Sequence, residues 1–116
     1  MLPSCRRVVP ALALALALAA GLGGCASLEA ARLYRSGTAA LDAGAPERAI
    51  ADLERAASLA PQASEVQNHL GLAYAAAGRP ADAELAFRRA VELDCDNSAA
   101  RENLRAAELR SAGVKP

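Results

Sequence analysis

Aromatic residues and net charge are both nearly absent from this chain. Only 3% of its 116 residues are aromatic, none is tryptophan, and 13 basic residues balance 13 acidic ones. Proteins that bind nucleic acid concentrate lysine and arginine on one face, so we exclude nucleic acid as a partner. The chain also has no glycine-rich phosphate loop and no Gly-x-Ser-x-Gly turn. We therefore predict no catalytic residues and no enzymatic activity.

Histidine is equally scarce, because His69 is the only one in the chain. A single imidazole without cysteine or histidine neighbours at ligand spacing does not make a metal site. We predict no bound metal and no cofactor, apart from covalent lipid considered below. His69 itself is then either a hydrogen-bonding residue of a binding surface or an ordinary surface residue.

Alanine and leucine dominate what the chain does contain. Hydrophobic residues make up 53% of the sequence, yet valine and isoleucine are few. Alanine and leucine favour helices, whereas β-branched and aromatic residues favour strands. The composition therefore predicts an all-α protein whose helices pack closely through small side chains.

The N-terminal segment has the three parts of a secretory signal peptide. Two arginines, Arg6 and Arg7, precede an uncharged apolar run over residues 8–20, and small residues follow that run. The segment ends in Leu22-Gly23-Gly24-Cys25, which resembles the lipobox of bacterial lipoproteins. The resemblance implies that residues 1–24 are removed. It also implies that Cys25 carries diacylglycerol and an N-acyl chain and begins the mature protein.

An uncleaved inner-membrane anchor is the alternative interpretation of this segment. The apolar run is 13 residues long, shorter than the roughly 20 of a membrane-spanning helix, but the uncharged stretch continues to Leu28. Three glycines within residues 21–24 disfavour a continuous helix there. In either case the two arginines hold the N-terminus in the cytoplasm, so the rest of the chain faces the periplasm. Ala26 follows the cysteine where inner-membrane lipoproteins have aspartate, which resembles the outer-membrane class.

The remainder of the chain repeats itself with a period of 34 residues. A shift by this length aligns residues 30–63 with residues 64–97 without a gap. Identical residues then coincide at Gly37/Gly71, Ala43/Ala77, Gly44/Gly78, Pro46/Pro80, Ala49/Ala83 and Leu59/Leu93, among others. This period is that of the tetratricopeptide repeat. The second copy also carries that family's residue pattern, at Leu70, Gly71, Tyr74, Ala83, Phe87 and Ala90.

The chain thus resembles the tetratricopeptide-repeat family, and the resemblance implies its architecture. We expect a short, right-handed α-solenoid of two helix-turn-helix repeats, residues 30–63 and 64–97. Residues 25–29 form the lipidated N-terminus and a short linker. The 34-residue register continues after residue 97, which predicts a capping helix over residues 98–112.

Local signals predict where the helices of the second copy begin, end and cross. Ser64, three residues before a glutamine, predicts a capping box at the start of the first helix. Gly78 predicts a residue in the left-handed conformation at the end of that helix. Gly71 and Ala83 are small, which predicts a close crossing of the two helices.

In this family the first helices of successive repeats line a groove that binds a peptide or a helix of another protein. The equivalent positions of this chain form a mostly apolar surface with a few hydrogen-bonding groups. The resemblance thus implies a protein-binding groove at Tyr34, Thr38, Leu41, Asn68, His69, Leu72, Ala75, Glu102, Ala106 and Leu109.

Together these features predict a periplasm-facing adaptor anchored by lipid in the outer membrane. Its partner would be another envelope protein or a peptide segment of one. Its role would be to support the assembly or localisation of an envelope complex, as pilotins and outer-membrane assembly accessory proteins do. The alternative is a structural lipoprotein that associates with copies of itself and has no specific client.

Overall fold

The computed structural model describes residues 24–114, and within this range every element of secondary structure is an α-helix. The all-α prediction is confirmed. The predicted signal peptide lies outside the described residues except for Gly24. The five helices are α1 (Gly24–Asp42), α2 (Pro46–Leu59), α3 (Ser64–Ala76), α4 (Pro80–Leu93) and α5 (Ser98–Ser111).

The N-terminal helix begins earlier than a linker between lipid and domain would allow. Cys25 lies in the first turn of α1, and residues 25–29 are helical. The segment that the sequence suggested as a linker is therefore continuous with the first repeat. Its buried residues begin at Ala30, so the two preceding turns project beyond the packed part of the domain.

The turns inside the two repeats have the same geometry. Gly44 and Gly78 both have a φ of 73°, so the left-handed conformation predicted for Gly78 is confirmed. The next residue in each turn donates its N–H back across the helix end, from Ala45 to the Ala40 oxygen and from Arg79 to the Tyr74 oxygen, both at 2.9 Å. This pattern is a Schellman motif, which satisfies carbonyl groups at the helix end. A proline then opens the second helix of each repeat.

Glycine also lets the two helices of each repeat touch. A Cβ atom on Gly71 would lie 2.5 Å from Cε1 of Phe87, and one on Gly37 would lie 2.6 Å from Cγ of Leu53. Contacts this short do not occur between real side chains, so both positions require glycine at this helix spacing. Ala83, on the facing helix, is 2% exposed. The predicted close crossing is therefore confirmed.

The hydrophobic core runs along the array from helix to helix. Its largest cluster joins α1, α2, α3 and α4 around the fully buried Leu53. A second cluster of Leu33, Ala56 and Val66 packs α1 and α2 against the start of α3. The buried residue of α5 is Ala100, so this helix covers the end of the array with a largely polar surface.

Ser64 does not cap α3, so the predicted capping box is wrong. The N-cap residue of α3 is Ala63, which has no side chain able to accept the bond. The buried Ser64 hydroxyl instead donates to the Ala90 carbonyl oxygen at 2.8 Å and accepts from Nδ2 of Asn97 at 2.9 Å. Ser64 is already inside the helix, where its side chain faces the end of α4. Asn97 caps the next helix, because its Oδ1 accepts the N–H of Ala100 at 3.0 Å.

Candidate functional site

The predicted binding residues lie on the first helices of the array, α1, α3 and α5, which contact one another in that order. We call this set the groove face and define it by the ten predicted residues. Most of these side chains are half-buried or exposed, as a binding surface requires. The half-buried ones are Tyr34, Thr38, Leu41, His69, Leu72 and Ala106, and the exposed ones are Ala75, Glu102 and Leu109.

Asn68 is the exception on the groove face, because it is only 5% exposed. Its Oδ1 accepts a hydrogen bond from Nδ2 of Asn103 on α5 at 2.9 Å. The Asn68 amide therefore joins two helices and offers little to a ligand. Asn103 was not among the predicted groove residues, and the sequence signal for it is its spacing of 35 residues from Asn68.

Tyr34 and His69 form the matching contact between α1 and α3, also 35 residues apart. The Tyr34 hydroxyl lies 3.2 Å from Nδ1 of His69, and the two rings meet edge to face with centroids 5.2 Å apart. The same Nδ1 lies 3.0 Å from the Glu65 carbonyl oxygen. Protonated Nδ1 donates to that carbonyl, whereas the other tautomer accepts from the tyrosine. His69 therefore bonds either within α3 or across to α1, depending on which ring nitrogen carries the proton.

Both tyrosines of the array remain protonated well above neutral pH. Burial, followed by the negative charge of Glu65, raises the pKa of Tyr34. Burial also raises the pKa of Tyr74 to about 12, helped by the hydrogen bond to Glu54. At neutral pH each phenol is thus a neutral group that can donate a hydrogen bond.

A second pair of contacts fastens each first helix to the second helix of the preceding repeat. Tyr74 donates to Oε1 of Glu54 at 2.6 Å, and the Arg79 guanidinium lies 4.6 Å from the centre of the Tyr74 ring. Twenty residues also separate Arg88 from Glu108, which pair at 3.7 Å between α4 and α5. The groove-face helices are therefore held in register from two sides. Among the described residues, no buried side-chain nitrogen or oxygen lacks a hydrogen-bond partner.

The centre of the groove face is apolar. Leu72 of α3 has Thr38 on α1 and Ala106 on α5 at its position in the register, and Ala75 of α3 has Leu41 and Leu109. Leu109 continues the surface and is 37% exposed. Such a surface can bury the apolar side of an extended or helical segment, while Thr38 and Glu102 supply polar groups beside it.

Two open cavities lie between helices at opposite ends of the array. The larger, about 420 Å³, lies between α4 and α5 and is lined by residues that include Ala75, Glu84, Phe87 and Ala107. The smaller, about 270 Å³, lies where α1 and the end of α2 meet the start of α3. Its lining includes Ala30 and Ala63. One groove-face residue lines each cavity: Ala75 lines the larger cavity, and Tyr34 lines the smaller one.

Cys25, the predicted lipidation site, is a free and exposed cysteine in the structure. No helix within residues 24–114 is both long and apolar enough to cross a membrane. The same range holds no cluster of three or more histidine, cysteine or acidic residues that could bind a metal ion.

The family model described as "Tetratricopeptide repeat" matches residues 34–100, from the middle of α1 to the start of α5. No curated protein matches the chain.

Proposed function

Because this chain belongs to the tetratricopeptide-repeat family, whose repeats generally mediate protein–protein interaction, we propose that it is an adaptor for another envelope protein. Lipid on Cys25 would hold the adaptor in the outer membrane, with the repeats in the periplasm. There it would support the assembly or localisation of an envelope complex, in the manner of a pilotin or an assembly accessory protein.

The observation that supports the proposal is the partly exposed apolar centre of the groove face. Leu72 lies in the middle of this surface on α3 and packs only partly into the domain. The polar contacts at either side, Tyr34 with His69 and Asn68 with Asn103, hold the three helices without covering it. A partner segment with apolar side chains at helical or alternating spacing would complete the burial of Leu72.

Lipid anchoring is supported by the lipobox pattern and by the position of Cys25. The cysteine is exposed and free, so its thiol is accessible for acylation. An acyl anchor needs no membrane-spanning helix, and two or more chains hold a protein stably on a bilayer. Mass spectrometry of the N-terminal peptide tests this directly, since lipid on Cys25 adds its mass and cleavage before Cys25 removes residues 1–24.

The adaptor role is tested by cross-linking in intact cells, followed by recovery of the full chain through a tag after Pro116. Leu72→Asp places a charge in the apolar centre of the groove face, and we expect it to reduce partner capture about tenfold or more. Leu85→Asp is the matched control. Leu85 is a leucine on α4 outside the groove face, and it is 61% exposed. Circular dichroism of both variants checks that they remain folded.

The outcomes separate the adaptor from the self-associating lipoprotein and test where the partner binds. A dominant partner that Leu85→Asp retains and Leu72→Asp loses would establish the adaptor and its binding surface. Equal recovery of that partner by both folded variants would place the binding surface elsewhere. Recovery of the bait alone from every sample would favour self-association, for which the open cavity between α4 and α5 offers a surface.

A further inference from the structure

The first helix has three distinct faces, and two of them are already assigned. Ala30, Leu33, Gly37 and Ala40 are buried against the rest of the domain. Tyr34, Thr38 and Leu41 belong to the groove face. Among the other exposed side chains, Cys25, Leu28, Arg32, Arg35, Ala39 and Asp42 follow one another at spacings of three and four residues, which places them on one stripe of the helix. We call the part of this stripe from Cys25 to Ala39 the outer face of α1.

The outer face combines exposed apolar surface with two positive charges, and the acidic Asp42 lies beyond it, seven residues after Arg35 at the C-terminal end of the helix. Leu28 is 74% exposed, one turn after Cys25. Arg32 and Arg35 follow and make no ion pair within residues 24–114. Glu29 does not neutralise them, because it faces α2 and pairs with Arg55 at 3.9 Å.

We propose that the outer face of α1 lies on the membrane surface, with Arg32 and Arg35 on anionic lipid headgroups and Leu28 among the acyl chains just below them. The proposal rests on the lipid anchor at Cys25 suggested above. It adds that the domain has one fixed orientation on the bilayer. An interfacial helix uses the same combination of apolar and basic residues.

The continuity of α1 makes this orientation a consequence of acylation. Because no flexible linker separates Cys25 from the domain, the acyl chains leave from the first turn of the helix. Arg35 lies ten residues further on, a rise of about 15 Å along the helix axis. If the helix lies flat, the acyl chains, Leu28 and both arginines reach the bilayer together.

This orientation leaves the groove face accessible. At 100° per residue, the outer face lies about a third of a turn around α1 from Tyr34 and Thr38. The buried face lies nearly opposite the outer face. The packed domain is therefore on the far side of α1 from the lipid, and a periplasmic partner can approach the groove from the side.

Lipid fits the outer face better than a second copy of the chain does. The stripe offers one large apolar side chain, whereas a stable dimer buries roughly 800 Å² on each partner. Two copies pairing through this face would also bring four arginines together, and like charges oppose each other. The headgroups of an anionic bilayer neutralise the charge of both arginines.

The test is amide hydrogen exchange of the full acylated protein in two kinds of vesicle. One contains phosphatidylcholine alone, and the other contains one part phosphatidylglycerol to three parts phosphatidylcholine. We expect exchange within residues 24–36 to slow several-fold on the anionic vesicles, while exchange within α3 stays unchanged. The variant Arg32→Gln/Arg35→Gln should lose this difference.

The matched control is Arg101→Gln/Arg105→Gln, which removes two exposed arginines of α5 and should keep the difference. Equal exchange of the unmodified protein on both vesicles would overturn the proposal, as would loss of the effect in the control. Protection that also occurs in detergent and increases with protein concentration would overturn it in favour of self-association. The mass of the N-terminal peptide shows independently whether Cys25 carries lipid, so failure of the lipid anchor is distinguished from failure of the proposed orientation.

Discussion

The two junctions between neighbouring units use the same register of contacts but fill it with different chemistry. The first junction packs α3 on α1 and α2, and the second packs α5 on α3 and α4. Tyr34 and His69 meet in the first junction where Asn68 and Asn103 meet in the second. The backbone arrangement thus accepts an aromatic pair or an amide pair at one position.

The junctions differ most at the end where a second helix leads into the next first helix. Ala30 and Ala63 leave the 270 Å³ cavity at the first junction. Ser64 and Asn97 occupy the equivalent positions at the second junction and are joined by a hydrogen bond of 2.9 Å. At the opposite end of each junction, the first junction is packed and the second one has a cavity. Leu41 and Ile50 pack into the core at the first junction, whereas Ala75 and Glu84 line the 420 Å³ cavity at the second.

Each junction is therefore well filled at one end and hollow at the other. This arrangement suits a short array, since each pair of units needs enough contact for register but not a complete core. Three changes test the comparison, all measured as urea unfolding of a soluble form that starts at Ala26.

The largest effect is expected from removing the polar contact of the second junction. Asn97→Ala deletes the side-chain cap of α5 and the bond to the Ser64 hydroxyl. We expect a loss of about 1–2 kcal/mol in the free energy of unfolding. Asn103→Ala is the control, because it removes a contact at the other side of α5 and leaves the Asn97 cap of that helix in place. An unchanged unfolding midpoint for Asn97→Ala would show that the second junction does not depend on this contact.

A smaller gain is expected from copying that contact into the first junction. The double variant Ala30→Ser/Ala63→Asn places the two side chains in the equivalent cavity and gives α3 the N-cap that it lacks. We expect stabilisation by about 1 kcal/mol, most of it from the cap. The single variant Ala30→Ser is the control, because it adds a hydroxyl without its partner. A destabilised double variant would mean that the two junctions are not equivalent in backbone geometry.

The smallest effect is expected from raising the pH. It tests the hydrogen bond between Tyr74 and Glu54 at the first junction, whose counterpart at the second junction is the ion pair between Glu108 and Arg88. An unfolded tyrosine titrates near pH 10, whereas the folded pKa of Tyr74 is about 12. The contact therefore stabilises the fold below about pH 10, and its contribution is lost as the pH rises through 12. Tyr74→Phe should show a shallower loss of stability over this range. The same slope in the variant and the unmodified protein would show that this phenol does not contribute.

Much of the backbone follows from local signals in the sequence. The glycine at the end of each first helix and the proline two residues later produce the same turn in both repeats, with φ of 73° at Gly44 and Gly78. Gly71 marks the helix crossing because no larger residue fits beside Phe87. These effects act within a few residues or between residues at a fixed spacing, so they can be predicted from the sequence.

Side-chain roles at the junctions could not be predicted in the same way. Ser64 lies at a sequence position typical of a capping residue. Its hydroxyl instead donates to the Ala90 carbonyl oxygen and accepts from the Asn97 side chain. Asn68 occupies a groove position, yet Asn103 covers its amide. A hydrogen-bonding side chain takes whichever partner is closest in space, and here those partners lie 26 to 35 residues away in the chain.

The sequence by itself determined the helices, their turns and the 34-residue register, because helix propensity, glycine φ and proline placement act locally. Only the tertiary structure decided which polar residues stay available to a partner and where the cavities lie. It also decided that residues 25–29 are helical and that α1 presents Leu28, Arg32 and Arg35 on one exposed stripe. Those properties depend on which helix faces pack together, and packing joins residues that are distant in the chain.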